Sequence, residues 1–400
     1  MTLCLALAFA FAILTLWIPA QWPVAAFQLT IFALASASVA SWIRNPPRFS
    51  YPFVPLSLAC LLGLAQLLAS RTSNAFETQR AVVNWLTLLA VFAIGYTLFQ
   101  QSSARNWFRL SMMWFACGVA LLAILQSFTA GGRIFWLFPS EFSGSHNVMG
   151  PILYRNHFAA FVEIVLPIAV YEAVSRRSDS LRYSAAAAIL YTSVIVSASR
   201  AGAAIATIEI AVVAWLAWRA SRLTSRPVAP ALMKLAAVLA LFTVIAGWSA
   251  LSSRMYEPDL FTMRREFALS SLQMISSQPL TGVGLGNWPV VYPHYAVIDF
   301  GVFANRAHSD WLEWTAEGGV PLGIAMLTLL VWAVRPAIRT IWGLGVIAVF
   351  VHAAVDYPFS RPALGAWITI VIAMLAAINC HSLTNSNNRT TNSSHPASVS

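Results

Sequence analysis

The sequence predicts an all-α integral membrane protein of about twelve transmembrane helices with one long loop outside the cytoplasm, and three observations predict it. The chain is 59% hydrophobic and only 10% charged, where soluble domains carry about a quarter charged residues. Its mean hydropathy is +0.70. Apolar runs long enough to cross a ~30 Å hydrocarbon core recur along the chain.

In order, the runs are 2–20, 22–43, 52–70, 80–99, 107–130, 155–174, 183–199, 201–218, 232–250, 317–334, 338–356 and 362–380. The seventh and eighth are close enough to be one broken helix. The first lacks a basic leader and a small-residue cleavage site, so it reads as a retained span. These runs divide the chain into N-terminal spans (1–130), central spans (131–250), a loop segment (251–316), C-terminal spans (317–380) and a tail (381–400). The tail is rich in Ser, Asn and Thr and is expected to be disordered. Cys4, Cys60, Cys117 and Cys380 each lie in an apolar run, where free cysteine behaves as a small hydrophobe. Neither a disulfide nor a metal cluster is expected.

Orientation follows from the basic residues. Loops after even-numbered spans hold most of them, including Arg176, Arg177 and Arg182 in one, and Arg219, Arg222, Arg226 and Lys234 in another. Cytoplasmic loops carry the Lys/Arg excess, so both termini are expected in the cytoplasm and residues 251–313 outside it. The net charge of +10 is then a matter of topology, and no nucleic-acid partner is needed to explain it.

Within the long loop, Pro258-Asp259 precedes a segment in which Leu260, Met263, Phe267 and Met274 recur at helical spacing. This predicts a capped helix on the membrane surface or bundle top, ending near Ser277 ahead of Pro279. Pro279-Leu280-Thr281-Gly282-Val283-Gly284-Leu285-Gly286-Asn287-Trp288 follows. It is a glycine-rich turn, not a dinucleotide fingerprint, because no strand precedes it and no βαβ unit surrounds it. Such a turn lets backbone approach a neighbouring helix or a ligand closely.

Charge is scarce, so its concentration at one membrane boundary matters. Arg306-Ala307-His308-Ser309-Asp310-Trp311-Leu312-Glu313 leads into Glu317-Gly318-Gly319-Val320-Pro321-Leu322-Gly323 at the start of an apolar helix. The glycine turn and these two segments resemble, in order and spacing, the O-antigen ligase and polymerase superfamily of bacterial membrane glycosyltransferases. Ser197-Ala198-Ser199-Arg200-Ala201-Gly202 resembles the family's Ser-Arg-Gly segment, and His352-Ala-Ala-Val-Asp356-Tyr-Pro its His…Asp-Phe-Pro signature. Arg265 stands where the family has an arginine before the glycine turn. The resemblance covers roughly 150–360.

The resemblance implies transfer of a glycan from undecaprenyl diphosphate to an acceptor hydroxyl on the periplasmic face of the bacterial inner membrane, which makes the long loop periplasmic. It implies a catalytic or acceptor-binding histidine at His308 and diphosphate-binding arginines at Arg200 and Arg265. O-antigen ligation to lipid A-core is the leading expectation. Polymerisation of a lipid-linked glycan and oligosaccharide transfer to protein hydroxyls share the chemistry and stay open. Some ligases carry a Gly-Thr-Thr-Gly ending after this histidine, whereas here the chain continues Val320-Pro321-Leu322-Gly323-Ile324.

The residue chemistry is compatible with this. A departing diphosphate needs fixed positive charge, and an arginine fork pairs two phosphate oxygens without losing its charge. Arg200, between two apolar runs, suits phosphate or a structural pair with Glu163, Glu172 or Glu209. Arg264 and Arg265 point about 100° apart on a helix, so one of them faces a site; the residues alone do not choose between them. Arg306 is close enough in sequence to His308 to reach the same ligand or a lipid headgroup.

A histidine, with a pKa of about 6.5, is tuned by nearby carboxylates, and Asp310 and Glu313 are the nearest to His308 in sequence. His294 has aromatic neighbours suited to sugar rings. His352 and Asp356 are spaced for one helix face. Arg155-Asn156-His157 opens the sixth span as candidate donor-site lining. No cofactor or metal is expected, since arginine supplies the positive charge and the carboxylates show no paired arrangement suited to a hard cation. A polar-lipid transporter is the alternative of another class; it calls for repeated halves with charge at the bilayer midplane, and neither is evident.

Overall fold

The computed structural model describes residues 1–44, 46–139, 149–176, 178–224, 228–246, 261–298, 301 and 303–392, with side chains 223–224, 243–246, 261–262 and 381–392 left aside. Among these residues there are fourteen α-helices and one two-residue hairpin, in which Arg133 pairs with Pro139 and Ile134 with Phe138.

Each predicted apolar run falls on helix: α1 (Thr2–Leu14), α2 (Trp22–Arg44), α3 (Phe53–Leu68), α4 (Ala75–Leu98), α5 (Ser102–Thr129), α6 (Arg155–Ser175), α7 (Ser180–Val196), α8 (Arg200–Thr224) and α9 (Ala229–Ala246). The loop segment contributes α10 (Phe261–Ser277) and α11 (Trp288–Tyr295). After it come α12 (Asp310–Thr340), a 3₁₀ turn (Trp342–Leu344), α13 (Gly345–His352) and α14 (Pro362–Asn392). Seven helices are long and apolar enough to cross a membrane, so this is an α-helical, multi-pass membrane protein. The other apolar helices are shorter.

One predicted span is redrawn. The run 338–356 is not one span: α12 carries on to Thr340, and what remains is the half-length α13, after which the chain turns back through residues 353–361. The seventh and eighth runs are separate helices, broken at 197–199 where Ala198 takes a left-handed φ of 55°. α14 runs to Asn392, and the rest of the tail lies outside the described residues.

Burial orders the helices. α6 is buried along almost its whole length and the first turns of α14 nearly as much, as expected of helices that are apolar all round. α2 and α8 leave apolar side chains such as Leu29, Ile43 and Ile208 on the outside. α10 and α11 form a small separate core with the loop and the start of α12, built on Phe267, Met274, Val283, Trp288 and Tyr292. Of the residues predicted at helical spacing on α10, Phe267 and Met274 are buried; Leu260 and the cap at Pro258-Asp259 lie outside the described residues.

The glycine turn is a backbone dock. Val283 N donates to Ala316 O at 2.9 Å, Gly284 N to Glu317 O at 3.1 Å and Val320 N to Pro279 O at 2.7 Å. Gly319 kinks α12 with φ 70°, ψ 177°, which frees those carbonyls from the helix ladder. At Gly282 (φ 66°) an added Cβ would stand 2.2 Å from Glu317 O. Gln66 of α3 ties the dock down: its Nε2 donates to Thr281 O and Glu317 O, and its Oε1 accepts from Leu285 N. Both glycine motifs therefore do structural work on each other.

Candidate active site

The start of α12 is stitched to the end of α13. Asp310 N donates to Ala353 O and Asp356 O, and Trp311 Nε1 donates to Phe350 O at 2.9 Å. Ser309 caps α12, its Oγ accepting from Leu312 N. The residue just before this cap is His308, with φ 53°. A left-handed φ is uncommon outside glycine and is held only where the surroundings enforce it.

The imidazole of His308 stacks on Phe267 (centroids 5.7 Å, planes 10° apart) and meets the edges of Tyr357 (5.0 Å) and Tyr154 (6.3 Å). Its Nδ1 lies 3.9 Å from Asp356 Oδ1, near enough for charge but too far for a hydrogen bond. Neither that nitrogen nor either Asp356 oxygen has a hydrogen-bond partner among the described residues. Burial, with Arg264 adding to it, pushes the imidazole down from 6.5 to about 4, so it is neutral at pH 7. Burial pushes the Asp356 carboxyl up from 3.8 to about 6. His352, the Tyr357 amide and Asn156 approach it without closing a hydrogen bond and offset only part of that effect.

Of the two adjacent arginines, Arg264 is the one that faces this notch. It is one turn before Phe267, hence on the same helix face. It reaches the Tyr154 hydroxyl and lies within electrostatic range of His308 and Asp356. Arg265 is exposed, rotated away by the 100° step of the helix. The choice made on the resemblance thus differs from the geometry.

Arg200 is half-buried at the first residue of α8. None of the carboxylates considered for it pairs with it among the described residues: Glu163 holds His352, Glu172 holds Arg109 and Arg176, and Glu209 has no partner. The preceding Ser199 donates to Asn156 Oδ1 at 2.8 Å, and Asn156 Nδ2 donates to the Tyr154 hydroxyl at 3.2 Å. This chain brings the α8 start to the edge of the notch.

Several expected residues have other partners in the structure. Asp310 and Glu313 do not tune His308, because both carboxylates are already bonded. Asp310 accepts from Phe359 N and Ser360 Oγ, each at 2.8 Å. Glu313 accepts from Arg306 Nη1 at 2.5 Å, Ala307 N at 3.1 Å and Ser360 Oγ at 3.2 Å. Together they form a strut from Arg306 through Glu313 and Ser360 to Asp310. Glu313, Glu317 and Asp310 outweigh burial and keep Arg306 firmly charged.

His352 pairs with Glu163 (2.8 Å) rather than with Asp356, since α13 ends at His352 and Asp356 is no longer on its helix. His157 is buried between Tyr154 and Tyr357, each ring 4.6 Å away, beneath the notch rather than lining it. Arg155 is half-buried at the first residue of α6. His294 is exposed on α11 and is not brought to the cluster.

The sequence reading missed Tyr154, Tyr357 and Phe267 as site residues, and took Asp356 only as a partner for His352. Asp356 and Tyr357 sit within the Asp-Tyr-Pro segment that had drawn attention. Tyr154 and Phe267 carried no signal beyond their aromatic character. Among the described residues no group of three or more potential ligands is placed to hold a metal ion.

Chemically, the notch offers an unpaired neutral imidazole, an unpaired carboxylate beside it, a guanidinium within electrostatic range and an aromatic wall. No curated protein matches the chain. The family model described as O-antigen ligase matches residues 185–327, a stretch that holds His308, Arg264 and Arg200 but not Tyr154 or Asp356. Over that stretch the chain is similar to the family described as O-antigen ligase.

Proposed function

We propose that the His308–Asp356 notch is where a glycan passes from undecaprenyl diphosphate to an acceptor hydroxyl on the periplasmic face of the inner membrane, ligating O-antigen to lipid A-core. The observation that carries this reading is the unpaired imidazole and carboxylate, 3.9 Å apart, within electrostatic range of Arg264. Buried polar groups are normally satisfied, and a pair left open beside a cation is arranged for a reacting group.

In the reaction the acceptor oxygen attacks the anomeric carbon of the donor sugar. Its proton passes to the imidazole of His308, while the anomeric carbon–oxygen bond to phosphate breaks and the electron pair leaves with the lipid diphosphate. Asp356 stabilises the imidazolium that forms, a role in which the carboxylate need not take the proton. Arg264 faces the developing negative charge, and Arg200 can join it. Ligand binding also corrects the base: Arg264 holds the imidazole pKa down, and a diphosphate paired with Arg264 cancels that field, raising His308 toward the range useful for a base at neutral pH. No cofactor or metal enters.

The test is transfer in proteoliposomes with a purified lipid-linked donor and lipid A-core acceptor. His308→Ala is expected to lose at least about 100-fold in turnover, while the exposed His294→Ala retains it. Undiminished transfer by His308→Ala removes the mechanism.

A further inference from the structure

A cleft open to solvent lies between α4, the start of α12 and residues 359–362. It shares Arg306, Glu313 and Ser360 with the strut, but none of His308, Asp356, Tyr154 or Arg264 lines it. The strut is thus a common wall with the reactive notch at one end and a separate chamber beside it.

The lining argues for one kind of occupant. Its charged groups are Arg80 and Arg306 against Glu77, Glu313 and Glu317, so it has no excess positive charge with which to hold a phosphate. Each carboxylate is already engaged: Glu77 by Arg80, Glu313 by Arg306, and Glu317 by the backbone N–H groups of Gly286 and Trp288. What remains open is hydrogen-bonding capacity of neutral character. Asn84 accepts from Gln28 through Oδ1 at 2.6 Å and leaves its N–H donors unspent among the described residues. Arg306 uses only Nη1 on Glu313. Trp85, Trp314 and Phe359 complete the walls with aromatic carbon. Fixed polar groups set among aromatic surface suit the alternating hydroxyl and C–H faces of a sugar ring.

We propose that this cleft is a saccharide subsite, holding uncharged sugar residues of a glycan whose reacting end sits at His308, while the diphosphate stays on the Arg264 side of the strut. The inference rests on the transfer reaction proposed above. It assigns Asn84, Arg80 and Arg306 to sugar recognition, and separates them from the phosphate-binding arginine.

The experiment uses the purified full-length protein in detergent. Binding is followed by saturation-transfer difference NMR with three probes: core oligosaccharide and O-polysaccharide, each released from lipopolysaccharide by mild acid, and inorganic pyrophosphate. Asn84→Leu and Arg80→Gln are the variants, the second at the exposed rim so that folding is kept. The expected result is a loss of saccharide affinity of about tenfold or more, a scale set by one or two lost hydrogen bonds, with pyrophosphate binding unchanged. Arg264→Gln is expected to do the reverse. A loss confined to core oligosaccharide places the acceptor in the cleft, and a loss confined to O-polysaccharide places the donor there. Unchanged binding of both saccharides in both variants overturns the inference. So does pyrophosphate displacing saccharide and failing in the same variants. If saccharide binding behaves as expected but the wild-type protein transfers nothing, the cleft stands and the proposed reaction falls.

Discussion

Replacing Asp356 by Asn is expected to make the protein more stable and less active, and the size of the first effect follows from the site. Burial lifts the carboxyl from 3.8 to about 6, so the folded state favours the protonated form. The associated stability is fully present below the unfolded pKa and is lost as pH rises through about 6. At about 1.4 kcal/mol per pH unit, the gap between the two values makes the ionised Asp356 cost about 3 kcal/mol at neutral pH and above. Asparagine has the same shape and never ionises. Its advantage over the wild type is therefore nil near pH 4 and grows to about 3 kcal/mol near pH 8. Thermal unfolding in detergent across that range, at one scan rate, reads the difference; transfer activity of the same variant is expected to fall by about 100-fold or more. An advantage independent of pH, or a variant less stable than wild type near pH 8, refutes the idea that Asp356 is a buried charge held at a cost for function.

Arg264 lowers the His308 pKa, so Arg264→Gln is expected to move the acidic limb of the pH–activity profile upward while raising the donor KM; an unmoved limb would detach Arg264 from the imidazole. Gly282→Ala puts a methyl group 2.2 Å from Glu317 O at a left-handed φ, and a loss of about 1–3 kcal/mol from backbone strain alone is expected, read as lower yield and thermal midpoint; wild-type behaviour would show that the dock is loose. Transfer in excess EDTA is expected to equal transfer with magnesium, and dependence on added magnesium would show that arginine alone does not neutralise the leaving group.

Much of the fold was legible because it depends on composition and periodicity, which the chain carries everywhere. α10 could be placed because Met263, Phe267 and Met274 mark one face, and its end because Pro279 follows Ser277. α13 was not legible. Residues 341–351 are apolar without a break, and nothing in that run records that the helix stops at His352, because the stop is enforced from outside by bonds from Asp310 N to Ala353 O and Asp356 O. Likewise, the glycine turn and the Glu317-Gly318-Gly319 kink were each visible, but that each is the other's partner is a fact of three dimensions.

The same distinction explains why the histidine was found and its carboxylate was not. Carboxylates near His308 in sequence are near the start of α12, where unpaired backbone N–H groups and the strap of residues 359–360 are within reach, so local structure claims them. Asp310 closes on Phe359 N and Ser360, Glu313 on Ala307 N and Arg306, and Glu317 on Gly286 N and Trp288 N. Glu266 on α10 is similarly spent on Ser270 and Val297 N. An acid consumed by its own turn cannot also serve an incoming hydroxyl. The acid left open beside His308 comes from a different segment, after α13, with both oxygens free of hydrogen bonds among the described residues. Proximity along the chain therefore selects for structural carboxylates here. Glu209 on α8 is buried and open as well, so what singles out Asp356 is an open carboxylate 3.9 Å from the open imidazole nitrogen, invisible to spacing.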